Sequence, residues 1–211
     1  MTLPDFSKLF EDGREIDTKI GRVVLRTRDA GGLALATGRV VACDPLGPPE
    51  IEPFARVAPA GTFPVTLSVA HFEDGDRRVA AALVRFGPRA PASWEPALLP
   101  GESPDDLAEG EIFGYPVDSG TGCFMDAETA RLVLSLPDFD DFFDALNHLL
   151  DETYENTWSW ANLGVEDGHN VVAFSTGVGD GLYASYFGLG EDGEVVCLVT
   201  DFSLFEYEQF A

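Results

Sequence analysis

The chain changes character at residues 114–126, which read GYPVDSGTGCFMD. Strand-like runs precede this stretch, whereas an acidic helical region and a second series of strands follow it. The stretch holds three glycines, two aspartates, a serine, a threonine and a cysteine. Glycine permits tight turns and lets a ligand approach the backbone closely. We therefore expect a change of element and a candidate site here.

Two consecutive helices are predicted directly after this stretch. Asp126 is placed to accept hydrogen bonds from the first N–H groups of a helix over residues 127 to about 136. Pro137 ends that helix, and Asp138 caps a second one that runs to about residue 152. Apolar residues of the second helix share one face at helical spacing, and these are Phe139, Phe142, Phe143, Leu146, Leu149 and Leu150.

Upstream, the clearest strands are residues 63–72 and 77–86, joined by a turn at Glu73–Asp76. The first alternates apolar and polar residues with the period of a strand that buries one face. The second is almost wholly apolar, which indicates a central strand. Asp29–Gly32 is predicted as a turn, and residues 33–42 as a tight hairpin or a bent strand.

The tail is predicted as a meander of strands over residues 169–176, 182–189 and 194–202. Short connections favour antiparallel neighbours. The predicted fold class is α+β, in which mainly antiparallel twisted sheet or sheets carry the two consecutive helices on one side.

The length and composition describe an ordinary globular chain. At 211 residues it is large enough for a single domain with a substantial core. It has no apolar run of the roughly 18 residues that a membrane helix needs, and its N-terminus lacks the apolar segment of a secretory signal. Three widely spaced cysteines do not suggest a disulfide framework. These features predict a cytoplasmic protein.

The charge is strongly asymmetric along the chain. Residues 1–100 carry 12 basic and 13 acidic residues, whereas residues 101–211 carry 24 acidic residues and a single basic one, Arg131. The net charge is −24. Such a field repels phosphate, which argues against nucleic acid and anionic membranes as partners. It favours a basic protein partner, although solubility or adaptation to salt explains the same composition.

A candidate ligand pocket is predicted from two glycine-rich loops, residues 118–123 and 176–181. Carboxylates beside exposed backbone N–H groups would suit a small polar ligand better than a bare anion. The alternative is that the glycines form tight turns and the aspartates accept local hydrogen bonds. The candidate pocket residues are Asp118, Ser119, Thr121, Gly179, Asp180, Gly181, Tyr183 and Asp201.

Two further chemistries are less favoured. Asp118 and Asp180 could hold Mg²⁺ or Ca²⁺ as oxygen ligands, but no established metal-binding spacing is present and no cofactor is predicted. Cys123 could act as a nucleophile with His71, His148 or His169 as its base. A small buried thiol in a tight turn is the favoured interpretation of Cys123.

Several segments resemble a bacterial family catalogued as domain of unknown function 4241. The resemblance is carried by residues 115–126, by Gly179–Tyr183 and Leu198–Phe202, and by the pairing of Phe63–Val65 with Val79–Phe86. It covers roughly residues 20–205 and leaves residues 1–19 as an N-terminal extension. It implies a single bacterial domain and no particular activity or catalytic residue.

Three functions follow as hypotheses. The favoured one is a non-enzymatic binding protein for a basic partner, such as an immunity protein that neutralises a basic toxin. The alternatives are a hydrolase or a metabolite-binding domain that uses the Asp118 and Asp180 loops. The distance between these two loops discriminates a ligand site from two unrelated turns.

Overall fold

The computed structural model of the chain describes residues 3–19, 21–47, 52–108 and 110–206. The regular elements of these residues are two short 3₁₀ helices, at Phe6–Phe10 and Pro104–Asp106, twelve strands and two α-helices. In chain order these are β1 Glu15–Thr18, β2 Gly21–Leu35, β3 Val40–Cys43, β4 Gly61–Phe72, β5 Arg77–Arg85, β6 Ser93–Pro96, β7 Tyr115–Val117, β8 Thr121–Asp126, α1 Ala127–Leu134, α2 Phe139–Thr153, β9 Trp160–Glu166, β10 His169–Ser175, β11 Gly181–Leu189 and β12 Val195–Asp201.

The larger of two sheets has eight strands in the order β1-β2-β4-β5-β12-β11-β6, and β7 also pairs with β11. All of its strand pairs are antiparallel. The β4–β5 hairpin and the central position of β5 confirm the prediction from the apolar pattern. Both faces of this sheet are buried, so β5 shows an apolar run in place of strict alternation.

The smaller sheet has four strands in the order β3-β8-β10-β9, and its outer face carries both helices. One apolar core lies between the sheets and includes Leu67, Phe124 and Phe174. A second lies between the small sheet and the helices. A third covers the outer face of the large sheet, where Phe6 and Leu9 of the N-terminal 3₁₀ helix pack. The predicted α+β class, with antiparallel sheets and two helices on one side, is confirmed.

The turn predicted at Asp29–Gly32 is wrong, because these residues lie inside the long strand β2. They form an irregularity in the pairing with β4, where the register shifts between Asp29 and Gly32. Gly31 adopts φ +87° there, and a Cβ on it would lie 2.6 Å from the Asn162 side chain. The glycines therefore allow a bulge and a close approach from the other sheet, without ending the strand.

The tight hairpin or bent strand predicted over residues 33–42 is also wrong. Leu33–Leu35 end β2 in the large sheet, whereas β3 belongs to the small sheet. Gly38, at φ +72°, carries the chain between the two sheets, and its carbonyl accepts from the Ala58 N–H at 2.8 Å. Any Cβ at Gly38 would meet the Ala58 carbonyl oxygen. The sequence predicted the turn correctly. The sheet that each flanking strand joins depends on distant residues, so the local sequence did not predict it.

The tail is not one meander. Strands β9 and β10 form a hairpin in the small sheet, and β11 and β12 form another in the large sheet. The connection at residues 176–180 therefore crosses from one sheet to the other, and no strand pairing joins its two flanking strands.

Both predicted helix caps are confirmed. The Asp126 carboxylate accepts from the Glu128 N–H, and the Asp138 carboxylate accepts from the Asp140 N–H, each at 2.9 Å. Helix α2 buries Phe142, Leu146 and Leu150 against the small sheet. Phe143, predicted to share this face, is 39% exposed because only a narrow stripe of the helix meets the sheet. No helix in the described ranges is long and apolar enough for a membrane crossing.

Candidate functional site

The two glycine-rich loops are the points at which the chain passes between the sheets. Residues 118–120 connect β7 in the large sheet to β8 in the small sheet, and residues 176–180 connect β10 in the small sheet to β11 in the large sheet. Because β7 pairs with β11 and β8 pairs with β10, both crossings occur at the same end of the sandwich. We call the two crossings together the loop junction.

The loops meet in space. The Thr176 N–H donates to the Gly120 carbonyl at 3.0 Å, and a Cβ on Gly120 would lie 3.6 Å from the Gly179 Cα. The last pair of the β7–β11 ladder is Val117 with Gly181. Asp118 and Asp180, both exposed, follow directly beyond that pair. The topology thus brings together two aspartates that are 62 positions apart in the sequence.

A third carboxylate, Asp44, organises the first loop. It accepts from the backbone N–H groups of Asp118 and Ser119, at 3.0 and 2.8 Å, and from the Ser119 hydroxyl at 2.7 Å. It also accepts from the Leu46 N–H at 2.9 Å. Asp44 was not foreseen as part of this region. The sequence shows that Asp44 directly follows an apolar segment, which is β3. Only the pairing of β3 with β8, however, places Asp44 beside the loop junction.

The second loop is held by hydroxyl groups. The Thr176 hydroxyl and the Tyr183 hydroxyl both donate to the Gly179 carbonyl, each at 2.8 Å. Tyr183 is buried, and its ring packs on Phe202 with 5.1 Å between centroids. Burial raises the pKa of Tyr183 above its ordinary value. In this structure Tyr183 therefore supports the turn from beneath.

The eight predicted pocket residues are only partly gathered. Asp118, Ser119, Gly179, Asp180 and Gly181 lie at the loop junction, with Tyr183 beneath it, and Thr121 is buried at the start of β8 beside Ser175. Asp201 lies on the opposite face of the large sheet from Tyr183, since its strand partners Ala81 and Ala184 belong to the outer core.

Asp118 and Asp180 would offer a cation two carboxylates. In the described ranges, no three histidine, cysteine, aspartate or glutamate side chains lie close enough to share a metal ion. Ser119 and Asp44 are already engaged with one another. The junction therefore combines two exposed carboxylates with a backbone whose nearby N–H groups point to Asp44.

Cys123 is a packed thiol. Its side chain is fully buried, and its Sγ lies 3.7 Å from the Sγ of Cys43, the residue opposite it on β3. Burial raises the pKa of the Cys123 thiol well above its ordinary value. A nucleophilic cysteine needs the opposite shift and solvent access, so the geometry favours the structural interpretation.

Asp201 makes the stability of the protein depend on pH. Burial raises its pKa to about 6, and its one hydrogen bond to the described chain is from the Ser203 N–H at 3.0 Å. Because the unfolded pKa is about 3.9, the folded state binds this proton more tightly. The stabilising contribution is therefore fully present below about pH 4 and is lost as the pH rises through about 6.

We expect Asp201→Asn to raise the free energy of unfolding at pH 7 by roughly 2–3 kcal/mol, since asparagine keeps an acceptor for Ser203 without the buried charge. Urea unfolding at several pH values between about 4 and 7 measures this. The variant should show a weaker decline over that range than the unmodified protein. An unchanged decline would contradict the assignment to Asp201.

Helix α2 presents an acidic face, which consists of Asp140, Asp141, Asp144, Asp151 and Glu152, all exposed. Asp140, Asp144 and Asp151 are spaced so that they form one outermost stripe. The segment from residue 132 to residue 206 contains no lysine or arginine. The structure places this acidic side on the surface of the helix that is turned away from the small sheet.

Basic side chains of the protein are paired elsewhere. Arg14, Arg22 and Arg26 bind acidic partners in the N-terminal segment, at Glu11, at Glu15 with Asp17, and at Asp12. Other pairs join Arg56 to Glu95, Arg78 to Asp76, Arg89 to Asp192, and both Arg28 and Arg77 to Glu155. In the ion pairs between described residues, the acidic face has no arginine or lysine partner. Glu152 does have a histidine neighbour on the same helix, with 3.6 Å between its Oε1 and the His148 Nδ1.

Exposed apolar side chains accompany the acidic face. Phe143 lies three residues after Asp140 and one before Asp144, so it flanks the acidic stripe. Leu134 ends α1 with 55% of its surface exposed, and Tyr154, which follows α2, is 61% exposed. Aromatic side chains such as Phe143 and Tyr154 are enriched at protein interfaces relative to the rest of the surface.

Comparison with known proteins finds a family. The sequence profile of the family described as "Protein of unknown function (DUF4241)" matches residues 33–200. No curated protein and no solved structure matches the chain.

Proposed function

This chain belongs to the DUF4241 family, and we propose that it is a non-enzymatic binding protein for a basic protein partner, in the manner of an immunity protein. The observation that carries the proposal is the acidic face of α2. Its carboxylates are exposed, of one sign and without an arginine or lysine partner among the described residues.

The physical case rests on electrostatic steering. A surface of one charge sign raises the rate at which an oppositely charged protein arrives, and it disfavours partners of the same sign. Phe143 adds an apolar side chain that could enter a pocket of the partner and slow dissociation. The same field repels phosphate, so nucleic acids and anionic membranes are disfavoured partners.

We also propose that the protein is cytoplasmic. All three cysteines are buried and unpaired. The sulfur atoms of Cys43 and Cys123 lie close together without being bonded, as a reducing compartment would maintain them.

The first test is affinity capture from a native bacterial lysate at low salt, followed by mass spectrometry. We expect enrichment of one or a few proteins of high isoelectric point, released by raising the salt concentration. A variant with a neutralised α2 serves as the control bait. Electrostatic recognition by this helix would be contradicted if both baits captured equal amounts of the basic proteins, or if raising the salt concentration did not release them.

A second candidate function, a site for a small polar ligand, is favoured by one observation: the two glycine-rich loops meet. Asp118→Asn combined with Asp180→Asn should then remove the melting-temperature increase that a bound metabolite, Mg²⁺ or Ca²⁺ gives the unmodified protein. The same two substitutions should leave capture of a basic partner by α2 unchanged. If no compound in a broad metabolite and metal screen shifts the melting temperature, the ligand proposal fails and the partner proposal stands.

A further inference from the structure

A cavity of about 930 Å³ lies on the outer face of the large sheet, away from both α2 and the loop junction. Its position follows from the way in which β6 and β7 pair, one after the other, with the same edge of β11. Residue 97 leaves that edge opposite Ser185, and Tyr115 returns to it opposite Tyr183. Residues 98–108 and 110–114 loop outward between these points. The cavity forms under that excursion, with Ala184 and Tyr186 of β11 at its floor.

The walls of this cavity are largely aromatic and aliphatic. Trp94 of β6 and Phe113 of the excursion line it together with Tyr186, Ile112 and Leu107. Phe6 stacks on Tyr186, with 4.2 Å between ring centroids, and meets the Trp94 ring edge-on at 5.2 Å. These contacts fix two of the aromatic walls. A volume of this size and a wall of this kind are typical of small-molecule sites.

The charged lining of the cavity is of one sign. The carboxylates of Asp5, Glu95 and Glu111 contribute to the wall, and none of the lining residues is a lysine, an arginine or a histidine. Glu95 is neutralised by Arg56. Asp5 accepts from the Trp94 indole N–H at 3.3 Å, and Glu111 accepts from the Ala108 N–H at 2.9 Å. Neither carboxylate has an ion-pair partner among the described residues.

We propose that this cavity is a binding site for an organic cation with an apolar, preferably aromatic, body. An aromatic wall attracts a cation through the negative faces of its rings, and two unpaired carboxylates strengthen that attraction. The apolar body of the ligand would replace water at Trp94, Phe113 and Tyr186. An organic anion of the same shape would be repelled by Asp5 and Glu111.

The test uses a matched pair of probes, 2-(1-naphthyl)ethylammonium and 1-naphthaleneacetate, titrated into the full-length protein by calorimetry at low and at moderate salt. We expect the ammonium probe to bind at least about tenfold more tightly than the carboxylate, because they share the naphthyl ring and differ in charge. Equal binding of both probes, or no binding of the ammonium probe, would overturn the proposal.

Two variants assign binding to this cavity. Asp5→Asn with Glu111→Gln removes both charges but keeps the side-chain oxygens that accept hydrogen bonds, so the fold should persist and binding of the ammonium probe should weaken about tenfold. Ala184→Leu places bulk at the floor and should block the probe. Glu166→Gln with Asp167→Asn, on the β9–β10 turn of the other sheet, removes the same charge and should leave binding unchanged.

If the distant control weakens binding as much as the Asp5 and Glu111 variant, the effect is one of net charge and the site assignment is wrong. Circular dichroism and thermal unfolding of each variant show whether it is folded. The cavity lies on a different face from α2, so capture of a basic protein should be unaffected by Asp5→Asn with Glu111→Gln. The two proposals can therefore fail independently.

Discussion

Neutralising the outermost stripe of α2, by Asp140→Asn, Asp144→Asn and Asp151→Asn together, should weaken binding of a basic partner by about 10- to 100-fold at low salt. Each of these carboxylates is exposed, and none has an arginine or lysine partner among the described residues. Several modest charge interactions are lost at once. Most of the loss should be in the association rate, since the stripe acts mainly by steering the partner toward the helix.

A matched control separates the site from the overall charge. Asp105→Asn, Glu191→Gln and Glu194→Gln remove the same three charges from the exposed 3₁₀ turn at Pro104–Asp106 and from the exposed β11–β12 turn. This control should bind the partner within about twofold of the unmodified protein, because none of its residues belongs to α2 or to the small sheet on which α2 packs. The α2 variant should remain folded, since Asp138 still caps the helix. Equal losses from both triple variants would contradict recognition by α2.

The largest effect on stability should come from Asp126→Ala. Asp126 is fully buried, and its carboxylate accepts from the Glu128 N–H, the Thr37 N–H and the Thr37 hydroxyl, each at 2.9 Å. The carboxylate thereby joins the start of α1 to the crossing that leads into β3. Alanine would remove the acceptor of all three hydrogen bonds at a fully buried position, which should cost about 3–4 kcal/mol in the free energy of unfolding.

Chemical denaturation of three variants checks this. Asp126→Asn should cost less than Asp126→Ala, because its side-chain oxygen still accepts a hydrogen bond. Thr37→Val removes one donor and tests the link between the two segments. The double variant Thr37→Val with Asp126→Ala should lose less stability than the sum of the losses in the two single variants, since the residues interact directly. An Asp126→Ala variant within about 1 kcal/mol of the unmodified protein would refute this role.

What the sequence predicted correctly was local. Asp126 and Asp138 were recognised as helix caps because a cap depends on residues within one turn. The β4–β5 hairpin was recognised because its alternation and its turn lie within 24 positions of the chain. These signals established the α+β class and the positions of both helices.

The features that the sequence did not predict depend on which of the two sheets contains each strand. Gly31 and Gly38 both adopt positive φ, yet one lies in a bulge and the other in a crossing between sheets. Asp44 could be placed at the loop junction only once β3 was known to pair with β8. The exposure of Phe143 depends on how narrow the contact between α2 and the small sheet is. None of these is encoded in a window of neighbouring residues.

Residues 114–126 have a structural role that their composition did not reveal. They carry the chain from an edge of the large sheet into the small sheet, and the last of them starts α1. Gly120 serves that crossing, since it contacts Gly179 of the return crossing. The loops that carry Asp118 and Asp180 meet there, while Ser119 and Tyr183 are engaged in hydrogen bonds that hold these loops.

The most direct measurement is the affinity for a purified captured partner as a function of salt, from about 50 to about 500 mM, for the unmodified protein and both triple variants. If α2 is the recognition surface, the unmodified protein and the turn control should show the same steep fall in affinity with salt. The α2 variant should start weaker, fall less steeply and approach them at high salt. An affinity that does not change with salt, or an α2 variant that follows the unmodified protein at every concentration, would contradict the account.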